Sequence, residues 1–253
     1  MTIARKWDGD TYDRISRPME QMGLAVLDRL ELRGAERVID AGCGSGRITQ
    51  ALLERLPRGQ VIGIDGAPSM IEAARARLGD RPNLRLEVGD LCELEPIPGG
   101  VDAIFSSATF HWIADHETLF ARLRATLGEG GRLVAQCGGE GNIDVIHAAA
   151  AEVGNAEPFA PYFRDWQGPW HFAGPRETER LLAAAGFRAA RCWLTDWPVT
   201  PDDPAVWLRT IILGAHLERL PHRLRSPYAA AVLDLLPRPV VVPYVRLNID
   251  AAA

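Results

Sequence analysis

Glycines at alternate positions, Gly42, Gly44 and Gly46, separate a β-branched run, Val38-Ile39-Asp40-Ala41, from a helical one. No other feature limits the fold as much. Glycine lets a backbone turn lie against a ligand that any Cβ would hold off. The next apolar run, Val61-Ile62-Gly63-Ile64, closes on Asp65. A carboxylate there can accept hydrogen bonds from a ribose diol. Strand, glycine turn, helix, strand and acid together describe a nucleoside site at the carboxyl edge of a parallel sheet.

The dinucleotide fingerprint Gly-x-Gly-x-x-Gly needs a glycine where this chain has Arg47. What stands instead is Asp-x-Gly-x-Gly-x-Gly, with Asp40 two residues before the first glycine and Cys43 inside the turn. That pattern is similar to the turn of S-adenosylmethionine (SAM) sites. SAM carries an ammonium and a sulfonium and no pyrophosphate. A carboxylate beside the turn would attract that ammonium and repel a dinucleotide's phosphates. Asp40 is read as the partner of the amine, with a solvated helix-cap carboxylate as the alternative. NAD and FAD fit less well, and a tight turn without a ligand is the remaining reading.

Apolar runs alternate with helical patterns through the first half of the chain. Strands are expected at Arg37–Ala41, Gln60–Ile64, Leu84–Val88, Val101–Phe105 and Arg132–Gln136. Between them, one helix follows Gly46 with Ile48, Leu52, Leu53 and Leu56 on one face. A second opens at Pro68 and carries Met70, Ile71, Ala74 and Leu78. A third is capped by Asp115, carries Leu119, Phe120, Leu123 and Leu127, and ends at Gly128. Such alternation implies a doubly wound α/β fold, Rossmann-like, with both sheet faces covered. Later, Gly174-Pro175 opens a helix that stops at Gly186, and Arg188–Leu194 reads as a sixth strand. Val240–Ile249 reads as a seventh, with Pro239 and Pro243 placing it at or near an edge. Two inserts, about 138–173 and 198–238, fit no strand; the second is expected to start helices at Pro204 and at Ser226-Pro227. Both are read as a cap over the carboxyl edge, with residues 1–253 forming one domain.

The 253 residues are 47% hydrophobic and 24% charged, enough for one large core, and the net charge of -5 offers phosphates no basic footprint. Nucleic acid is therefore not an expected partner. Arg219, His222, Arg223 and Arg225 read as a solvated helix end, and Asp8, Asp10 and Asp13 as an exposed acidic face. Cys43, Cys92, Cys137 and Cys192 share no Cys-x-x-Cys spacing and read as small buried groups in a reducing compartment. No metal site is expected. The amino terminus has no export core and no run reaches membrane-spanning length, so the expectation is a cytoplasmic monomer or homodimer acting on a small molecule.

The chain resembles class I SAM-dependent methyltransferases, most of all the trans-aconitate 2-methyltransferase group. The shared residues begin with Trp7, Tyr12 and Arg17-Pro18, and continue through Asp40 to Gly46, Asp65, Pro68-Ser69-Met70 and Asp90-Leu91. They resume in Phe105 to His116, Gly130 to Leu133, Trp207 to Thr210, Leu220-Pro221 and Tyr244 to Leu247. The resemblance implies seven strands with the last antiparallel, and SAM along the carboxyl edge, leaving S-adenosylhomocysteine as product. It also implies methyl transfer to a small molecule. It puts the Gly42–Gly46 turn against the methionine part of SAM, Asp65 at the ribose with Gly66 also at the cofactor, and Asp90 and Leu91 at the adenine. Tyr12 would fold over the cofactor, and Met70 and Ser106 would complete its surroundings. His111 stands where the group often has glutamine, and Leu236–Val242 is compressed and proline-rich; both lie on the acceptor side.

Methyl transfer from a sulfonium is an in-line displacement that asks the protein for alignment and dryness. A carboxylic acid (pKa about 4) arrives ionised and needs a cation, whereas a phenol, amine or carbon acid wants a base. His111 is the catalytic candidate: a base, a donor to a carboxylate oxygen, or a support for the strand end. Arg17, Arg209 and Arg246 are candidate carboxylate clamps, with a surface position as the alternative for each. Trp112 and Trp170 are acceptor-side candidates beside a packing role. The stretch Trp166, Trp170, His171 and Phe172 either walls the pocket or gives a loop its own core. The expected activity is O-methylation of a carboxylic acid similar to trans-aconitate. The alternatives are a C-, N- or phenolic O-methyltransferase, and a non-catalytic protein that holds SAM or S-adenosylhomocysteine.

Overall fold

A computed structural model describes residues 17–253. Helix α1 (Arg17–Leu27) precedes β1 (Arg37–Ala41), α2 (Arg47–Arg55), β2 (Gln60–Asp65), α3 (Pro68–Leu78) and β3 (Leu84–Val88). Next come β4 (Val101–Ser107), a 3-10 turn at Phe110–Trp112, α4 (His116–Thr126) and β5 (Leu127–Gly138). The first insert holds α5 (Asp144–Gly154) and α6 (Ala160–Phe163), followed by α7 (Pro175–Ala184) and β6 (Ala189–Val199). The second holds α8 (Pro204–Trp207), a π-helical turn at Leu208–Ile212, α9 (Gly214–Arg219) and α10 (His222–Leu235), and β7 (Val242–Ala252) ends the chain.

The seven strands make one sheet in the order β3-β2-β1-β4-β5-β7-β6. Strands β1 to β5 pair in parallel, and β7 runs antiparallel to both neighbours. Alternation along each strand divides the apolar residues between two faces. Ile39, Ile62, Ile104, Leu133 and Leu247 meet α4 and α7, while Val38, Val61, Ala103, Phe105 and Val134 meet α1 and α2. The two inserts share a third cluster with Met22 of α1. There Tyr228 is fully buried and its hydroxyl donates to the Ala150 carbonyl at 2.8 Å, fastening one insert to the other.

Strand β7 lies near an edge as expected, one place in, with β6 as the edge strand; Pro243 stands opposite Pro198 near the end of that ladder, where neither has an N–H to donate. Two sequence expectations change. Helix α10 starts at His222, so Pro227 lies inside it; burial of Tyr228, Ala229 and Val232 outweighs the one lost backbone bond. Helix α4 ends at Thr126, since Leu127 already pairs with Val101 in the sheet. The Asp115 cap is present: its carboxylate accepts from the Thr118 N–H and hydroxyl. Among the described residues no helix is long and apolar enough to cross a membrane.

Candidate active site

Two cavities open side by side at the carboxyl edge, and Met19 of α1 and Ala108 after β4 line both. The first lies on the glycine turn and touches Asp40, Gly42, Cys43, Gly44 and Ser107. All three turn glycines have positive φ, the region in which a Cβ is strained. Their duties differ. A Cβ on Gly42 would stand 2.0 Å from the Thr109 hydroxyl oxygen, and one on Gly46 would meet Leu78 at 2.9 Å. At Gly44 nothing lies within 4 Å. Gly44 alone of the three therefore leaves room for a ligand, while the other two permit close packing.

Asp40 is buried, 2% exposed, and accepts a 2.7 Å hydrogen bond from the Thr49 hydroxyl. Burial raises its pKa to about 7; the Thr49 bond opposes this and the charge of Asp65 adds to it. A buried carboxylate facing a cavity gains most from an incoming cation, which is what an ammonium supplies. Asp65 accepts from the Gly44 N–H at 2.9 Å and the Ala67 N–H at 2.8 Å. It thus pins the turn in addition to facing the sheet edge; burial raises its pKa, against those two bonds. Glu20 of α1, ion-paired with Arg47 at 3.0 Å, adds a further acid to the rim. Open space at Gly44 and two carboxylates around the turn suit a cationic nucleoside better than a pyrophosphate.

The second cavity is bounded by His111, Trp112, Asn142, Trp170, Phe172, Tyr244 and Arg246, with Ile143, Ile211 and Ile212. His111 is 8% exposed. The Gly138 N–H donates to its Nδ1 at 3.2 Å, so the ring proton belongs on Nε2. Burial, then the positive charge of Arg246, then His116 hold its pKa well below the usual histidine value. His111 is neutral near pH 7 and is built to donate. Arg246 is 2% exposed, and its Nε donates to the Gln136 side-chain Oε1 at 3.4 Å. Gln136 in turn donates to Asn248 Oδ1 at 2.9 Å, an atom that also accepts from the Arg29 guanidinium.

Several expected residues line neither cavity. Ser106 is 1% exposed, and its hydroxyl donates to the Ala41 carbonyl at 2.6 Å. Alternation along β4 turns Ser107, with Phe105, to the first cavity in its place. Arg209 is exposed and donates to the Ser226 hydroxyl at 2.9 Å, away from the acceptor cavity. Arg17 is exposed at the start of α1. Met70 and Leu91 are buried, Gly66 and Asp90 exposed, and Asp90 caps its own turn by accepting from the Cys92 N–H. Tyr12 lies outside the described residues. The aromatic stretch divides: Trp170 and Phe172 stack at the cavity, Trp166 packs on His216, and His171 leans on His116. Cys92 is half-buried, unlike the three buried cysteines, and all four are free thiols. Sequence reasoning missed Met19 and Ala108, the residues between the cavities. Ala108 carries φ 58, a conformation nothing in its residue type announces.

Residues 38–131 match the family model described as a methyltransferase domain. The chain is 33% identical over 230 residues to a trans-aconitate 2-methyltransferase of Variovorax paradoxus (strain S110), covering 88% of this chain and 86% of that one. It is 35% identical over 236 residues to another of that name from Acidovorax sp. (strain JS42), covering 89% and 86%. A Haemonchus contortus phosphoethanolamine N-methyltransferase 2, solved with S-adenosyl-L-methionine, shares the fold with a TM-score of 0.57 at 20% identity, over 92% of this chain and 52% of that one. The chain belongs to the class I SAM-dependent methyltransferases, and within them it is similar to the trans-aconitate 2-methyltransferase group.

Proposed function

We propose that this enzyme methylates a carboxylate oxygen of a small acid, forming a methyl ester. The observation that carries the reading is the pairing of a buried guanidinium, Arg246, with a neutral, donating His111 on one cavity wall. A group that must take a proton from a phenol or an amine is not what this histidine offers. Its Nδ1 is already occupied by the Gly138 N–H, and burial disfavours its charged form. A carboxylate needs no base, and two donors aimed at it suffice.

SAM supplies an electrophilic methyl on its sulfonium. Asp40 would hold the amine, and Gly44 would let the turn lie close. Asp65 would keep the turn in register and offer its remaining lone pairs to the ribose. Arg246 and His111 would fix the acceptor carboxylate and orient one oxygen across the Met19–Ala108 boundary. Trp170 and Phe172 would exclude water. In this reading residues 1–253 form one methyltransferase domain and the segments 138–173 and 198–238 cap the acceptor side. The four free thiols support a reducing, cytoplasmic setting.

The test is transfer of labelled methyl from SAM to acids, phenols and amines, followed by mild alkali. Alkali-labile label on an acid supports the ester. Label confined to alkali-stable phenol or amine products refutes it.

A further inference from the structure

The first cavity carries charge of both signs. Asp40 and Glu20 bring carboxylates to it, and Arg47 brings a guanidinium, around the space that Gly44 leaves open. The path of the chain accounts for this convergence. Asp40 lies in β1 and Arg47 is the first residue of α2, so the Gly42–Gly46 turn between them carries a buried acid and a base to one place. Arg47 is held at the rim, where it donates to the Glu20 carboxylate at 3.0 Å and its side chain stays 22% exposed. A guanidinium presents five N–H donors in one plane, enough to serve two carboxylates.

From this meeting of charges we infer that Arg47 binds the carboxylate at the amino-acid end of the cofactor, while Asp40 takes the amine on the same carbon. The inference rests on the reading of the first cavity as the SAM site. A ligand with only a cation there would be opposed by Arg47, and one with only an anion by Asp40 and Glu20. An α-amino acid head carries both charges on one carbon, so it asks for an acid and a base that converge, as these do. Its carboxylate would also lie at the start of α2, where the helix dipole favours an anion. Glu20 acts from α1 and keeps the guanidinium over the cavity. Arg47 occupies the position that a dinucleotide fingerprint reserves for glycine, so the residue that counts against a pyrophosphate has its own use here.

The experiment measures binding of two ligands to the full chain by calorimetry. One is S-adenosylhomocysteine; the other is its decarboxylated analogue, which keeps the amine and lacks the carboxylate. Because Arg47 is partly exposed, the parent protein should prefer S-adenosylhomocysteine by about 10-fold, the lower end for a charge-assisted bond. Arg47→Gln should abolish that preference, weakening S-adenosylhomocysteine about 10-fold and leaving the analogue within about 2-fold. Asp40→Asn should weaken both ligands, since both carry the amine. Equal affinity of the parent protein for the two ligands overturns the inference without any substitution. An Arg47→Gln protein that loses both ligands equally, or keeps the full preference, also overturns it; Asp40→Asn weakening both would still leave this cavity as the cofactor site. If neither substitution affects either ligand, the cofactor does not lie in this cavity, and that reading falls together with the inference.

Discussion

Replacing Asp40 by asparagine should make the ligand-free protein more stable at every pH above about 4, with the gain growing until it levels off near pH 7. Asp40 is 2% exposed, and burial lifts its pKa from 3.8 to about 7. The folded chain therefore holds this proton more tightly than the unfolded chain does. Stability tied to the group is fully present below the unfolded value and is lost as pH rises through the folded one. At about 1.4 kcal/mol per pH unit between the two values, the full loss is on the order of 4 kcal/mol. Asparagine keeps the shape, and its oxygen can still accept from the Thr49 hydroxyl, but it never ionises. Urea unfolding of both proteins should coincide near pH 4 and diverge by up to about 4 kcal/mol near pH 8. The same variant should bind S-adenosylhomocysteine about 10- to 100-fold more weakly, the range of a lost charge-assisted bond. In the parent protein that affinity should rise with pH through about 7, because the amine needs the ionised acid. A stability gap that is the same at both ends of the pH range would sink the burial argument. Unchanged affinity in the variant would remove Asp40 from the amine.

The turn glycines should separate in the same way. Gly42→Ala, which drives a Cβ to 2.0 Å from the Thr109 hydroxyl oxygen, should cost about 3 kcal/mol or more by thermal unfolding. Gly44→Ala, facing open space, should cost about 1 kcal/mol yet weaken S-adenosylhomocysteine in calorimetry. Equal stability losses would refute the division of labour. Ser106→Ala should lose about 1 kcal/mol with its bond to Ala41 and leave cofactor affinity untouched; a weakened cofactor would put Ser106 back at the site. Gln136→Glu places a carboxylate where Arg246 Nε now donates, and should raise KM for an acid acceptor about 10-fold or more with S-adenosylhomocysteine affinity unchanged. Steady-state kinetics with an unchanged KM would show that Arg246 does not face the substrate.

Much of the frame is readable before any coordinates exist, for a physical reason. Strands buried on both faces must be apolar along their whole length, so Val38–Ala41 and Val61–Ile64 announce themselves, and β1 and β3 fall on the expected residues. The Asp115 cap and the buried face of α3 follow from local chemistry in the same way. Side-chain direction is harder. Ser106 and Ser107 are adjacent and alike, and only the ladder that sets Ser107 opposite Gln136 decides which one faces the cofactor cavity. The prolines put β7 at or near an edge but could not say that β6 lies outside it, because strand order is fixed by packing far away in sequence. Arg209 carried a motif resemblance but no directional signal, and a neighbouring serine claims it.

The seam between β5 and β7 places Arg246, the proposed acceptor cation, in the frame and not in the cap. Residues 246–250 read Arg-Leu-Asn-Ile-Asp, so the polar side chains share one sheet face and Leu247 and Ile249 enter the core on the other. A polar row buried in mid-sheet requires partners on the adjacent strand and the covering helical region. Gln136 stands directly opposite Asn248, and Arg29, just beyond α1, reaches Asn248, Asp250 and the Ala135 carbonyl. Arg246 is the end of this row that meets the acceptor cavity, held through Gln136. The apolar wall opposite, by contrast, comes largely from the insert residues Ile143, Trp170, Ile211 and Ile212. A strand row bound on three sides resists change, whereas insert side chains can be exchanged with little effect on the sheet. On the proposed ester-forming reading, acceptor choice therefore divides: the sheet would supply the demand for a carboxylate, and the inserts would determine what that carboxylate is attached to.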